Sequence, residues 1–228
     1  MSGGNTSSAV MQRRNPALDK FDDFPTPMWA TRAVLEWLAR AGHDLSGAVV
    51  REPCANRGYM AVPLAEVCAA VEASDVLDYG VGYPVRDYLF GEVPEVVDWT
   101  FMNPPFVLAQ QFIERALMSS RGVAVFCRSA FVEGAQRHAE LFSVYPPAHI
   151  LQFTERVVLH KSAMRRAGDK WFDPDADDGA GRWKSASSAT AYCWMIWLPG
   201  TEVTTFDWIA PCRLRLERPG DYEVRGNV

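Results

Sequence analysis

The chain has 228 residues, of which 48% are hydrophobic and 22% charged, with a formal net charge of −5. These values are ordinary for a soluble globular protein and suit one α/β domain with decorations, large enough for a substantial core. No run of about 18 apolar residues occurs, which excludes a membrane-spanning helix, and the acidic balance runs against the basic footprint that phosphate binding usually leaves.

In chain order, residues 1–20 are rich in Ser, Gly and Asn and carry Arg13-Arg14 with no apolar stretch behind them, so they read as a flexible tail and not as a secretory signal. Residues 27–41 place Val34, Leu35, Trp37 and Leu38 at i, i+1, i+3 and i+4, one buried helical face. A first strand, 47–51, is broken by Glu52-Pro53. Residues 59–68 predict a helix that tolerates Pro63 only near its first turn. A second strand, 69–74, ends at Asp75, and residues 93–102 carry a strand into Asn103. A helix over 108–120, a strand over 122–127 and a helix over 134–145 follow, the last closed by Pro146-Pro147. Strands over 149–159 and 190–198 complete the alternation, which predicts a doubly wound, mostly parallel α/β sheet whose last two runs pair as an antiparallel hairpin at the edge. Residues 161–189 show little apolar periodicity, and a loop of that length in a compact domain is functional or disordered. The expected organisation is a tail (1–20), one domain (21–200) and an extension (201–228) in which residues 213–225 alternate charge as a surface strand or extended tail. The five cysteines, Cys54, Cys68, Cys127, Cys193 and Cys212, are scattered, with no C-x-x-C pair and no nearby His. That spacing argues against a zinc site or disulfide framework and for a reducing cytoplasm.

The chemistry-bearing residues fall where strands end. Asn103-Pro104-Pro105-Phe106 follows the apolar run 96–102. The Asn103 side-chain carbonyl and the Pro104 main-chain carbonyl can both accept from a planar –NH2 group, Pro104 and Pro105 fix the turn without donating, and Phe106 offers a face for a base. Upstream, Glu52-Pro53-Cys54-Ala55-Asn56-Arg57-Gly58 joins the first strand to the next helix, at the carboxyl edge where open α/β sheets bind ligands. Asp75, followed by Val76, is placed to take both hydroxyls of a ribose, and Asp87 could accept from an adenine amino group with Tyr88 beside the ring. Each carboxylate alone could equally cap a helix or a turn; their order ahead of the Asn-Pro-Pro-Phe turn is what points to a site.

With these motifs the chain resembles the class I S-adenosylmethionine-dependent methyltransferases of the amino-methylating type, close to phage- and prophage-borne N6-adenine DNA methyltransferases. Phe24-Pro25-Thr26-Pro27-Met28-Trp29 resembles the family's opening segment, Glu52 to Gly58 its cofactor loop, Asp75 and Asp87 its ribose and adenine positions, and Asn103 to Phe106 its catalytic motif. Phe153 to Val157 and Ser188 to Trp194 resemble the strand pair that closes its sheet. The resemblance covers about residues 21–198 and implies a seven-stranded Rossmann-like sheet, S-adenosylmethionine as cofactor, held by Thr26, Pro27, Glu52, Cys54, Ala55, Asn56, Gly58, Asp75, Val76, Asp87, Tyr88 and Asn103, no metal, and a cytoplasmic enzyme of a bacterial host or its phage. One departure stands out: Asn56 occupies the first glycine position of the family's Gly-x-Gly loop, where its side chain could crowd the cofactor or hydrogen-bond it.

The implied reaction is methylation of adenine N6 in duplex DNA with the base flipped out. Candidate substrate contacts are Arg156, Lys161, Arg165, Arg166, Trp171, Trp183 and Lys184, basic residues interleaved with aromatics on the 161–189 loop and just before it. The same loop also fits a solvated insertion whose tryptophans pack locally. Two other readings stay open on the sequence: methylation of another planar amine (RNA adenine, cytosine N4, a protein glutamine), or a catalytically silent binding protein, for which Asn56 is the main support. Monomer and homodimer are both compatible with the sequence.

Overall fold

A computed structural model describes residues 22–176 and 179–226; the expected flexible tail, 1–20, lies outside the described residues. The strands are β1 (Val49–Glu52), β2 (Ala70–Ala73), β3 (Val97–Met102), β4 (Ser120–Arg128), β5 (His149–Phe153), β6 (Lys170–Asp173), β7 (Arg182–Ser185), β8 (Tyr192–Trp197) and β9 (Thr205–Ile209). The helices are α1 (Met28–Arg40), α2 (Ala61–Ala65), α3 (Ala109–Ser119), α4 (Ala135–Arg137), which runs on into a π-helical turn (His138–Phe142), and α5 (Arg213–Leu216). Seven strands form one sheet in the order β2-β1-β3-β4-β8-β5-β9. All neighbours are parallel except β8, which is antiparallel to both β4 and β5. The antiparallel β8 returns β5 to the direction of β3 and β4. Glu52, Ala73, Met102, Arg128 and Phe153 therefore all emerge on one edge of the sheet.

The central strands are apolar throughout because both faces are covered. In β3, Phe101 packs on the α1 side and Met102 on the α3 side. In β4, Ala124 and Phe126 face α1 while Val123, Val125 and Cys127 face α3, and β8 repeats the alternation with Trp194 and Ile196 against Cys193, Met195 and Trp197. The period of two is the strand's own geometry, realised on both faces at once. Gly122 is required in β4, since a Cβ there would stand 2.6 Å from the Trp99 ring. At the end of α1, Gly42 takes φ +92° and the His43 N–H reaches back to the Leu38 carbonyl, a glycine-based helix stop.

Phe126 is fully buried, stacked on Tyr192 at 5.1 Å and met edge-on by Trp194 at 5.4 Å. Phe126→Ala is expected to cost about 3–5 kcal/mol, by lost burial plus the cavity left behind. A denaturant midpoint shift corresponding to less than about 1 kcal/mol would contradict that packing.

Several boundaries differ from those predicted. The strand expected over 93–102 starts only at Val97, because Pro94 cannot donate to a ladder. The helix expected over 134–145 is one α-turn and one π-turn, and that expected over 59–68 is reduced to five residues around Pro63. The runs at 149–159 and 190–198 pair antiparallel as expected, but β9 adds in parallel outside β5, so the pair lies one strand inside the edge. β9 falls in the stretch read as an extension. The 161–189 loop is not structureless: β6 and β7 form an antiparallel hairpin within it, with Trp171 opposite Lys184 and Phe172 opposite Trp183.

Residues 213–226 are likewise more than a surface tail. Asp221 is buried and paired with the equally buried Arg32 at 2.7 Å, Arg32 also bonds Glu66, and the Tyr59 hydroxyl donates to the Glu223 carbonyl at 2.8 Å. Part of the charge alternation here is matched by distant partners, Asp221 by Arg32, Arg215 by Glu36 and Arg218 by Glu66.

Candidate active site

The loop after β1 is shaped by its own backbone. The Ala55 N–H donates to the Ser74 carbonyl at 2.9 Å, and Gly58 N–H to the Ala55 carbonyl at 2.7 Å. Asn56 takes φ +51° and Gly58 φ +80°. Asn is among the residues that tolerate this region best. Gly58 has no alternative, since a Cβ there would lie 2.5 Å from the Tyr83 hydroxyl. The Asn56 side chain donates to Asp23 at 2.7 Å and accepts from the Arg57 N–H at 2.8 Å. Arg57 completes the group with its own ion pair to Asp23 at 2.9 Å. The side chain that departs from the family pattern is thus tied into a polar cluster with the segment preceding α1.

Asp75 closes β2 and grips this loop. One carboxylate oxygen accepts from the Asn56 N–H at 2.8 Å and the other from the Leu77 N–H at 3.1 Å. Two oxygens offer about four acceptor sites, more than these backbone groups occupy, so acceptor capacity remains for a ligand. Burial pushes the Asp75 carboxyl up, against those backbone hydrogen bonds. Glu52, at the end of β1, is 1% exposed, and its Oε2 is buried with no hydrogen-bond partner. Burial first, and then Asp75, push its carboxyl well above the ordinary range. The same burial, with Asp75 and Glu52 nearby, pushes the Cys54 thiol up, so it stays neutral and is no nucleophile.

The Asn-Pro-Pro-Phe turn sits at the carboxyl end of β3. Asn103 donates through Nδ2 to the Phe24 carbonyl at 2.9 Å and to Thr26 Oγ1 at 3.0 Å. The Phe106 N–H donates to Asp22 at 2.7 Å. Both amide donors of Asn103 are therefore engaged by the 22–26 segment. Its Oδ1 is left to act as an acceptor.

These pieces enclose one cavity of ≈260 Å³. Of the residues singled out in the sequence, Thr26, Glu52, Cys54, Ala55, Asn56 and Asp75 line it, as do Val76, Asp87, Tyr88, Asn103 and Pro105. Pro27, Gly58, Pro104 and Phe106 do not; Gly58 packs under Tyr83, and Phe106 lines a neighbouring groove between α3 and α4. Tyr88 is buried, within 3.4 Å of Ser119 Oγ through its hydroxyl, and Asp87 accepts from the Leu89 N–H in a turn. Asp22, Phe24, Tyr79, Leu108 and Phe112 also line the cavity and were not anticipated. Only Asp22 and Phe24 carried a signal, by adjacency to the Pro-Thr-Pro segment.

None of the seven candidate substrate residues lines the cavity. Arg166 is paired with Glu217 at 2.8 Å and Lys184 with Asp173 at 2.6 Å, so two of the expected cations are neutralised locally. Arg165 lies over the Trp171 ring at 4.3 Å, Arg156 bonds the Ala189 carbonyl, and Trp183 packs on Phe172 while remaining 68% exposed. Exposed Lys161 stands beside Ser162, whose N–H donates to the Asp23 carbonyl at 2.8 Å and ties the start of the loop to the cavity rim. Among the described residues no group of three or more His, Cys, Asp or Glu could hold a metal ion, and no helix is long and apolar enough to cross a membrane.

Solved structures share this arrangement of sheet and helices. A type I restriction-modification methyltransferase subunit from Streptococcus thermophilus superposes with a TM-score of 0.53 at 10% identity, over 89% of this chain and 50% of that one. A modification subunit assigned to a type I restriction enzyme of Vibrio vulnificus gives 0.52 at 13% identity, over 95% and 53%. A Listeria monocytogenes protein assigned as a class I S-adenosylmethionine-dependent methyltransferase gives 0.53 at 9% identity, over 81% and 65%. The fold is that of the methyltransferases. The chain spans about half the length of the two restriction-system subunits. No family model and no curated protein matches the sequence.

Proposed function

We propose that the protein transfers a methyl group from S-adenosylmethionine to the N6 amino group of adenine in DNA, with the target base flipped out of the duplex. The observation that carries this reading is the orientation of Asn103, whose two amide donors are held by Phe24 and Thr26 so that its Oδ1 is presented as an acceptor. An adenine N6 lone pair is delocalised into the ring and is a poor nucleophile. Hydrogen bonds from its two N–H groups to Asn103 Oδ1 and the Pro104 carbonyl favour a pyramidal nitrogen and aim its lone pair. That is positioning with electrostatic support: the neutral thioether leaves as the methyl is transferred, and the methylated nitrogen then releases one of its N–H protons to solvent, so no strong base is needed.

The cavity suits the cofactor. S-adenosylmethionine supplies an electrophilic methyl group when bound. The orphaned Glu52 Oε2 fits a cationic ligand, the free acceptor sites of Asp75 fit ribose hydroxyls, and the loop 54–58 lets the backbone approach closely. The two restriction-system neighbours, named as modification and methyltransferase subunits, support a nucleic-acid substrate. The test is to express the chain in a host lacking adenine methylation and digest its DNA to nucleosides; N6-methyladenine is expected, and its absence with soluble protein present would reject the reading.

A second reading, methylation of another planar amine such as cytosine N4 or a protein glutamine, draws on the net charge of −5 and on the local neutralisation of Arg166 and Lys184. N4-methylcytosine in the same digest, or label in protein, would replace the first reading with it.

Glu52 makes binding dependent on pH. Its folded-state pKa is raised, so its contribution to stability is fully present below the ordinary carboxylate range and is lost as pH rises through the raised value. A cationic ligand favours the ionised carboxylate, so binding expels a proton and tightens as pH rises over the same window. Calorimetric titration with S-adenosylmethionine at successive pH values should show this trend. Glu52→Gln should flatten it; an unchanged trend in that variant would exclude Glu52 as its source.

A further inference from the structure

Arg128 is the last residue of β4 and stands on the same edge of the sheet as Asn103. Its guanidinium lies over the Phe106 ring, 4.5 Å from the centroid. Its Nε is buried and has no hydrogen-bond partner among the described residues. Phe106 itself is part-buried against the α1-side core and borders the groove between α3 and α4, and Arg128 covers a face of its ring that a base could use. A guanidinium in this setting is incompletely satisfied: the ring offers it a cation–π contact but no acceptor for its N–H groups.

We propose that Arg128 is a nucleotide-positioning residue, which covers Phe106 and, when a target base stacks there, moves onto a phosphate of that same nucleotide. The proposal rests on the reading of the protein as a DNA methyltransferase. A stacked base takes the place of the guanidinium on Phe106, so the ring exchanges one face contact for another of similar kind. The displaced guanidinium then gains the bidentate, charge-assisted hydrogen bonds that a phosphate offers and a ring cannot. The exchange gives the enzyme a substrate contact beside Phe106, without the loop cations Arg166 and Lys184 that are already paired.

The test measures binding of a labelled, unmethylated duplex of mixed sequence by fluorescence anisotropy. S-adenosylhomocysteine is present throughout, and the salt concentration is varied. For Arg128→Ala, affinity is expected to fall on the order of tenfold, and the log–log salt slope to fall in magnitude by about one, the signature of one lost phosphate contact. Arg128→Lys, which keeps the charge but not the planar fork, should restore the slope without the full affinity. Binding of S-adenosylhomocysteine itself should match wild type in both variants. Unchanged affinity and slope in Arg128→Ala would overturn the proposal, and so would loss of S-adenosylhomocysteine binding, which would mark a structural residue. Wild-type protein that binds DNA but forms no methylated base would overturn the methylation reading alone, because the slope still decides on Arg128. Wild-type protein that does not bind DNA would overturn both.

Discussion

Replacing Asn103 with alanine should lower the rate of methyl transfer on the order of 10³-fold while cofactor affinity changes by less than about tenfold, because the positioned acceptor is lost and the 54–58 loop is untouched. Asn103 lies at the end of β3 and borders the cavity, but the contacts that shape the 54–58 loop belong to Asp75, Ser74 and Asp23. Part of the effect will come from release of the 22–26 segment, since Asn103 Nδ2 holds both the Phe24 carbonyl and Thr26. Asn103→Asp separates the two contributions. It keeps an acceptor but sets a carboxylate against the Phe24 carbonyl, so its loss should be smaller than that of alanine. Single-turnover kinetics with saturating cofactor read the chemical step directly, and a rate within a few-fold of wild type for Asn103→Ala would remove Asn103 from the mechanism.

Asp75→Ala should produce the opposite defect. Its carboxylate positions the loop through the Asn56 and Leu77 N–H groups and has acceptor sites left for a ribose. Removing it strips the loop of its anchor and the ligand of its partner together. The dissociation constant for S-adenosylmethionine should rise about a hundredfold, which corresponds to about 2.7 kcal/mol. Asp75→Asn keeps acceptor capacity at one oxygen and should lie between. Unchanged affinity for Asp75→Ala in a titration would reject the ribose assignment.

What could be read from the sequence was local. The Asn103 turn and the Glu52 to Gly58 loop each consist of adjacent residues at the end of an apolar run, and backbone geometry alone places such residues at a strand's carboxyl end. The parallel sheet followed from alternation for the same reason. What escaped was what depends on distant partners. Asp22 reaches the Phe106 amide across 84 positions, and Asn103 meets Phe24 across 79. Nothing in the pattern around Asp22 announces that contact. The cations Arg166 and Lys184 looked available because Glu217 and Asp173 neutralise them only once the chain is folded. β9 was missed because four of its five residues are exposed, so its register comes from β5 and not from burial. Asn56 looked like a defect when considered as one missing glycine. In the fold it supplies the positive φ that the loop needs and bonds Asp23 besides.

The most direct test of the central claim is to incubate the purified protein with methyl-labelled S-adenosylmethionine and unmethylated duplex DNA, digest the DNA, and identify the labelled nucleoside. Label in N6-methyladenine, absent from a parallel reaction with Asn103→Ala, is the result this account predicts. No labelled nucleoside from a wild-type protein that binds the cofactor would contradict it.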